Sequence, residues 1–425
     1  MQKKEPNQNE SLHNVIYGGI ATEAMNTFAT GPFLIAYALM FNAGNIAIGF
    51  LGSIVYVGSL MHLFAAYLLN KKYSPRKMSI VSSLISRQCY LIAAVLAFFN
   101  NSSYALPLLL ICFSLTYLCG GIAGGAWYPW MKYIIPQKIL GKFFSLRMKY
   151  MMIAQMVCSL FGAVLIYYID KNYPQQSIFA YSFLLSLSFL VGMYSVYTFT
   201  RVYDIKVVIK ENIPFYKKLY ASFKNEKIRN LTYFMSLLNF STCFATPFFT
   251  AFMLKYLSFS TTSVILLTVL SQLSYILSSR YWGMVADRKD YKTTLTLGLS
   301  VFSICILLFI LSIYTSFILS CVLLIVANIL IGFSGFSVKL TLNNLPLRHV
   351  SEEDAATFIS VINVCKSFAA VISGICAGGI LSLFEKISFS RWFEGAGENC
   401  FEWTLFWIVA IFLCLITLLR SKKYA

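Results

Sequence analysis

Long apolar runs alternate with short polar breaks along the whole chain. Twelve runs reach the roughly 20 residues a helix needs to cross a hydrocarbon core about 30 Å thick. They lie near residues 15–40, 44–69, 78–99, 105–131, 148–170, 177–200, 230–255, 261–285, 293–315, 317–345, 356–384 and 401–419. This pattern predicts an all-α, polytopic membrane protein with 12 transmembrane helices. One long polar connector, residues 201–229, separates six runs within 1–200 from six within 230–425. Its Ile213, Phe215, Tyr216, Leu219, Tyr220 and Phe223 are interleaved with lysines. That spacing fits a helix lying on an anionic leaflet and fits a solvated basic linker equally well.

Composition sharpens the picture. Of 425 residues, 58% are hydrophobic and 12% charged, too few charges to cover the surfaces of two or three soluble domains. The net charge of +18 falls in clusters between apolar runs, not along one basic face, which argues against nucleic acid as a partner. The eleven cysteines form no CxxC pair, and all but Cys400 sit inside apolar runs, so they read as small buried residues. The first apolar run, about 25 residues long, exceeds a signal-peptide core.

Lysine and arginine also give an orientation. With the N-terminus inside, the inner side collects Lys71, Lys72, Arg76 and Lys77, then Lys132, Lys138, Lys142, Arg147 and Lys149. The segment from Arg201 to Arg229 adds eight more, and Arg420, Lys422 and Lys423 close the chain. The opposite loops carry almost none, so both termini are expected in the cytoplasm.

The two halves repeat. "FATGPFLIAYAL" (Phe28 to Leu39) matches "FATPFFTAFML" (Phe244 to Leu254) with one residue skipped, and a shift of 215 places "GKFFSL" (Gly141 to Leu146) on "ATFISV" (Ala356 to Val361) and Gly120 on Gly335. Two further stretches carry a resemblance: "GMVADRK" (Gly283 to Lys289) and "WMKYIIPQKILGKFFSLR" (Trp130 to Arg147). The first is similar to the G-x-x-x-D-R loop of the major facilitator superfamily. The second resembles the loop between the fourth and fifth helices in a bacterial branch of that superfamily. The resemblance implies two six-helix pseudo-repeats around a central cavity. It also implies alternating access, and residence in a cell membrane, the inner membrane of a bacterium.

The loop motif suggests a latch. Gly283 would let a helix end approach a neighbour, Asp287 would sit near a positive helix start close to Ser145 and Arg147, and Arg288 would hold the loop on an anionic surface. The first-half twin, Ala65 to Lys77, has Asn70 where the second half has Asp287, followed by Lys71 and Lys72. Its expected partners are Glu352, Glu353 and Asp354 at the start of the eleventh helix; the alternative is that these acids only cap their own helix.

Ionisable residues inside apolar runs are costly and point to function. Glu23, Arg87, Lys339 and Lys366 each lie within about ten residues, ~15 Å of rise, of a cytoplasmic end. Three cations against one carboxylate suit an anionic or zwitterionic solute, with a structural Glu23 pair plus a snorkelling lysine as the plain alternative. Asn26, Gln155, Asn239 and Asn363 would line the same site, and Glu23 or His62 would carry a coupling proton. The glycine run "CGGIAGGAW" and the pair Gly374 and Gly378 read as close helix packing. With no GxxxxGK[ST], HExxH or GxSxG pattern in the chain, neither direct ATP drive nor hydrolytic chemistry is expected.

The sequence therefore predicts a secondary active transporter of a small polar, anionic or zwitterionic, solute. A drug or metabolite exporter and a non-transporting membrane receptor of the same fold are the alternatives. The expected partners are a small-molecule substrate, the lipid bilayer, and a coupling proton or sodium ion, with no cofactor and a monomeric chain.

Overall fold

The computed structural model describes residues 8–71, 73–135, 140–204, 220, 224–349, 355–387 and 400–424, and among these no strand occurs. The described residues form two compact units, one from residues 1–42 and 54–212, the other from residues 43–53 and 213–425. The segment Ala43–Ser53 thus belongs with the second unit although it precedes most of the first in sequence.

In the first unit, α1 (Gln8–Phe28) is followed by α2 (Gly31–Met40), α4 (Val55–Leu60), α5 (His62–Asn70), α6 (Pro75–Val95), α7 (Ala105–Ile134), α8 (Leu140–Asn172) and α9 (Ser177–Thr200). The second unit contains α3 (Asn45–Ser53), α10 (Glu226–Ala251), α11 (Thr261–Arg288), α12 (Tyr291–Ile313), α13 (Phe317–His349), α14 (Ala355–Ile387) and α15 (Cys400–Tyr424). Among the described residues, ten helices are long and apolar enough to cross a membrane, and the bent pair Asn45–Ser53 and Val55–Leu69 makes an eleventh if taken as one span. The first predicted run is not one rod. It breaks at Thr30 and Gly31, where Gly31 has φ 57°, a conformation that L side chains rarely adopt and glycine takes freely.

The repeat is written into the packing. In the first unit α6 packs on α7, α4 and α5 on α7, α1 on α8 and α9, and α6 on α9. In the second, α12 packs on α13, α11 on α13, α10 on α14 and α15, and α12 on α15. Each pairing recurs six spans later. The matched "FAT" segments also differ as their lengths require. The first copy carries the extra Gly31 and breaks, while the second runs through Pro247 and ends in a π-helical turn, Phe252–Tyr256.

Apolar clusters hold the units at their basic-loop ends. Val15, Trp130, Met131, Ile134, Phe143 and Val202 form one in the first unit, and Leu231, Met235, Leu238, Leu295, Leu299 and Leu345 are part of another in the second. Within spans, hydroxyls stitch helix to helix. Ser86 Oγ donates to the Thr116 carbonyl at 2.9 Å, joining α6 to α7, and Ser188 Oγ donates to the Met25 carbonyl at 3.1 Å, joining α9 to α1. All eleven cysteines are free; Cys400, outside the apolar runs, is buried, whereas Cys376 is exposed and Cys119, Cys158, Cys321 and Cys365 are half-buried, so the reading of them as buried residues holds only in part.

Glycines of the runs read as packing surfaces do pack. A Cβ on Gly121 would run into the Gly58 backbone, and one on Gly374 would run into the Gly49 backbone and the Ser53 hydroxyl. Gly283 differs: a Cβ there would meet no described atom within 4 Å, so the close helix approach expected at that glycine is not seen among the described residues.

Candidate functional site

The first unit encloses a polar hollow between α1, α6 and α7. It has two lobes of about 260 and 220 Å³, and Thr22, Asn26, Arg87 and Gly120 line both. The larger lobe adds Glu23, Trp127 and Arg147. The smaller adds His62, Tyr90 and Tyr117.

Local sequence explains why these groups face inward. Thr22 Oγ1 donates to the Gly18 carbonyl at 2.7 Å and meets Ser195 Oγ at 2.7 Å, and Ser195 Oγ donates to the same carbonyl at 3.1 Å. That seam fixes one edge of α1 against α9. Glu23 and Asn26, a turn apart on α1, then line the hollow. Arg87 is 6% exposed, an arginine sunk into an apolar span. Its stem rests on Gly192, where a Cβ would meet Arg87 Cγ at 2.8 Å. Its Nη1 donates to Ser86 Oγ at 3.1 Å, and its Nε has no hydrogen-bond partner. The Tyr117 hydroxyl is likewise buried and unpartnered. Two residues lining one hollow thus each carry a buried donor without an acceptor, an arrangement that costs free energy.

Arg147 closes the larger lobe. Its guanidinium lies over the Trp127 ring at 4.7 Å, and its Nε donates to the Val15 carbonyl at 3.4 Å. Gln155, on α8 of the same unit, is half-buried and is not among the residues lining either lobe.

The remaining candidates lie in the second unit. Asn239 Nδ2 donates to the Lys366 carbonyl at 2.8 Å, and Lys366 Nζ donates to the Leu342 carbonyl at 3.4 Å. Lys339 Nζ stands 5.8 Å from the centre of the Tyr275 ring, and Asn363 is half-buried. The expected set of four ionisable residues is therefore divided, with Glu23 and Arg87 together in one unit and Lys339 and Lys366 in the other.

Among the latch residues, Arg288 is exposed at the end of α11. Lys71 is exposed with its Nζ 4.9 Å from the centre of the Tyr67 ring, and its hydrogen bond with the Tyr67 side chain raises its pKa. Asn70 and Asp287 are placed on α5 and α11, and their side chains lie outside the described ones. Glu352, Glu353 and Asp354 lie outside the described residues. Arg76, also within the first-half twin stretch Ala65 to Lys77, faces Asp204 of its own unit at 3.9 Å. In the "DRKD" stretch the residue with a visible role is Asp290, whose carboxylate accepts the Thr293 N–H at 2.6 Å and caps α12.

Sequence reasoning missed Ser86, Tyr117 and Gly192. Serine, tyrosine and glycine are ordinary inside an apolar run, so only their neighbours reveal them.

Bundled membrane-length spans with an embedded polar hollow fit a membrane transporter. The chain belongs to the Major Facilitator Superfamily, whose model matches residues 16–374 and 230–422. No curated protein matches the chain in sequence. Among solved structures, a mutant of the nucleoside transporter NupG superposes with TM-score 0.75 at 13% identity, covering 98% of this chain and 100% of that one. The POT family transporter PepTSo gives TM-score 0.74 at 11% identity, covering 99% of each chain. A bacterial homologue of the iron transporter ferroportin, inward-facing, gives 0.66 at 12% identity, covering 98% of each.

Proposed function

We propose that the chain is a secondary active transporter that moves a small polar solute with an anionic or zwitterionic head by alternating access. The hollow of the first unit is its solute site. The observation that carries this reading is Arg87, a buried guanidinium lining both lobes with an unpartnered Nε. Neighbours named for nucleosides and for iron span unlike solutes, so similarity of fold alone does not choose a solute. A guanidinium with an open donor does, because it favours carboxylate and phosphate oxygens.

In this reading Asn26 and Tyr117 orient the head group. Glu23 or His62 takes up the coupling proton, each being titratable and lining a lobe of the hollow. Glu23 offsets part of the positive charge of Arg87 and Arg147 around the larger lobe, and its protonation would raise the positive charge facing an anion. In this reading the chain resides in a cell membrane with both termini in the cytoplasm, which the lysines and arginines gathered on one side support. Asp287 and Arg288 at the end of α11, and Asn70 and Lys71 at the end of α5, help hold the closed cytoplasmic side.

The test is thermal stabilisation of purified protein by carboxylates, amino acids, nucleotides and sugar phosphates, followed by counterflow in proteoliposomes. Anionic or zwitterionic compounds are expected to raise the Tm, and Arg87→Gln is expected to remove that shift while the unliganded protein remains folded. Stabilisation by cationic or neutral compounds alone would overturn the reading.

A further inference from the structure

The helix α7 carries two adjacent rows of glycine at four-residue spacing, and the rows meet different surroundings. Gly121 and Gly125 form the packed row. A Cβ on Gly121 would collide with the Gly58 carbonyl, and one on Gly125 would meet Ala65 Cβ at 2.7 Å and His62 Cα at 3.2 Å. These glycines have a steric reason to be glycine. Gly120 and Gly124 form the other row. A Cβ on Gly120 would meet only Ser86 Oγ, at 3.8 Å, and one on Gly124 only His62 Nε2, at 3.5 Å. Both are ordinary van der Waals separations, so packing would admit alanine at either place.

Glycine is a poorer helix former than alanine, and the open row gains nothing from helix contact to offset that. What it keeps is space. Gly120 lines both lobes of the hollow and Gly124 the larger one. Both lobes are lined by Arg87, whose Nε is buried and unpartnered, and the smaller by Tyr117, whose hydroxyl is likewise buried and unpartnered, less than one turn before Gly120. Lobes of about 220 and 260 Å³ lie below the usual range of ligand pockets, where one added methyl group changes what fits.

We propose that Gly120 and Gly124 are specificity-determining residues. They form a bare backbone wall that sets the largest solute body the site accepts once its anionic head is held at Arg87. The inference rests on the solute site proposed above. Gly335, the repeat counterpart of Gly120, is similarly open, with only Tyr275 Cδ2 at 3.9 Å from a Cβ position.

The test uses two ladders of graded size, acetate–benzoate–1-naphthoate and phosphate–glucose 6-phosphate–AMP, titrated against the purified full chain by thermal shift. Gly120→Val and Gly124→Val are expected to weaken the largest member that binds the unsubstituted protein by about tenfold or more, and the smallest by under about twofold. If valine disturbs folding, Gly120→Ala and Gly124→Ala carry the same comparison at smaller amplitude. Gly121→Ala, in the packed row, is expected to lower the unliganded Tm where Gly120→Ala does not. Equal weakening of every ladder member, or none, in folded variants would overturn the proposal, as would equal tolerance of alanine in both rows. Arg87→Gln separates the two readings. If it keeps binding while the valine variants still shorten the ladder, the head-group assignment fails and the wall stands. If no ladder member binds the unsubstituted protein, both fall.

Discussion

Lys255 and Glu385 stand 3.6 Å apart in the second unit, with Asn45 closing the triangle. Asn45 Nδ2 donates to Glu385 Oε2 at 2.7 Å, and Lys255 Nζ donates to Asn45 Oδ1 at 2.8 Å. The ion pair is about one-third exposed, whereas Asn45 is 3% exposed, so the amide matters more than the charges. Asn45→Leu should cost about 1–3 kcal/mol through the groups left unpaired, and Glu385→Gln under about 1 kcal/mol because water screens an exposed pair. Hydrogen exchange at residues 45–53 reads the local effect, which should rise in Asn45→Leu.

The same segment depends on backbone contact. Gly49 and Gly374 face each other with no room for a Cβ, and Gly378 lies against the Asn45 backbone. Gly374→Val should destabilise by about 2–3 kcal/mol or more, as overpacking does. Gly379→Ala is the control, since a Cβ there would meet no described atom within 4 Å. Thermal unfolding of the two variants side by side should separate them clearly.

Arg147 is a stacking residue as much as a charge. With its guanidinium over Trp127 at 4.7 Å and its Nε on the Val15 carbonyl, Arg147→Lys should lower stability by about 1 kcal/mol despite keeping the charge. Arg147→Lys unfolding at the parent temperature would show that stacking contributes nothing.

Asn239 ties α10 to α14 through the Lys366 carbonyl at 2.8 Å and is 2% exposed. Asn239→Leu should cost about 1 kcal/mol, the usual scale for a hydrogen bond between membrane helices. Lys366 would keep its donor contact to Leu342, so the loss should be read in unfolding and not in ligand-induced shifts.

Much of this was legible in the sequence because the bilayer imposes one rule. The run at 177–200 coincides with α9, Ser177–Thr200, since apolar length alone sets a span. Breaks were less legible. Ile54 and Met61 interrupt the second run, and neither residue type signals an interruption. The family assignment followed from loop residues at recognisable spacing. Arg87 was legible as a cation in an apolar run. Its companions Ser86 and Tyr117 were not, because what distinguishes them, the Arg87 contact of one and the unpartnered hydroxyl of the other, is a property of three-dimensional neighbours. The division of the four embedded charges between two units was legible from their positions in the two halves, but which of them line one hollow was not, since depth along a span says nothing about which helix face a side chain occupies.

The break at Gly31 has a further consequence. Inserting one residue into a continuous helix rotates everything beyond it by about 100°. Because the chain leaves helical geometry at Thr30 and Gly31, the extra residue of the first copy is absorbed there. The angular setting of Glu23 and Asn26 is thereby uncoupled from that of Phe33 and Tyr37. The second copy lacks that residue, runs through Pro247 without a break and ends in a wider turn at Phe252–Tyr256. Gly31 acts as a phase joint, allowing the polar stripe and the apolar stripe of one span to be tuned separately.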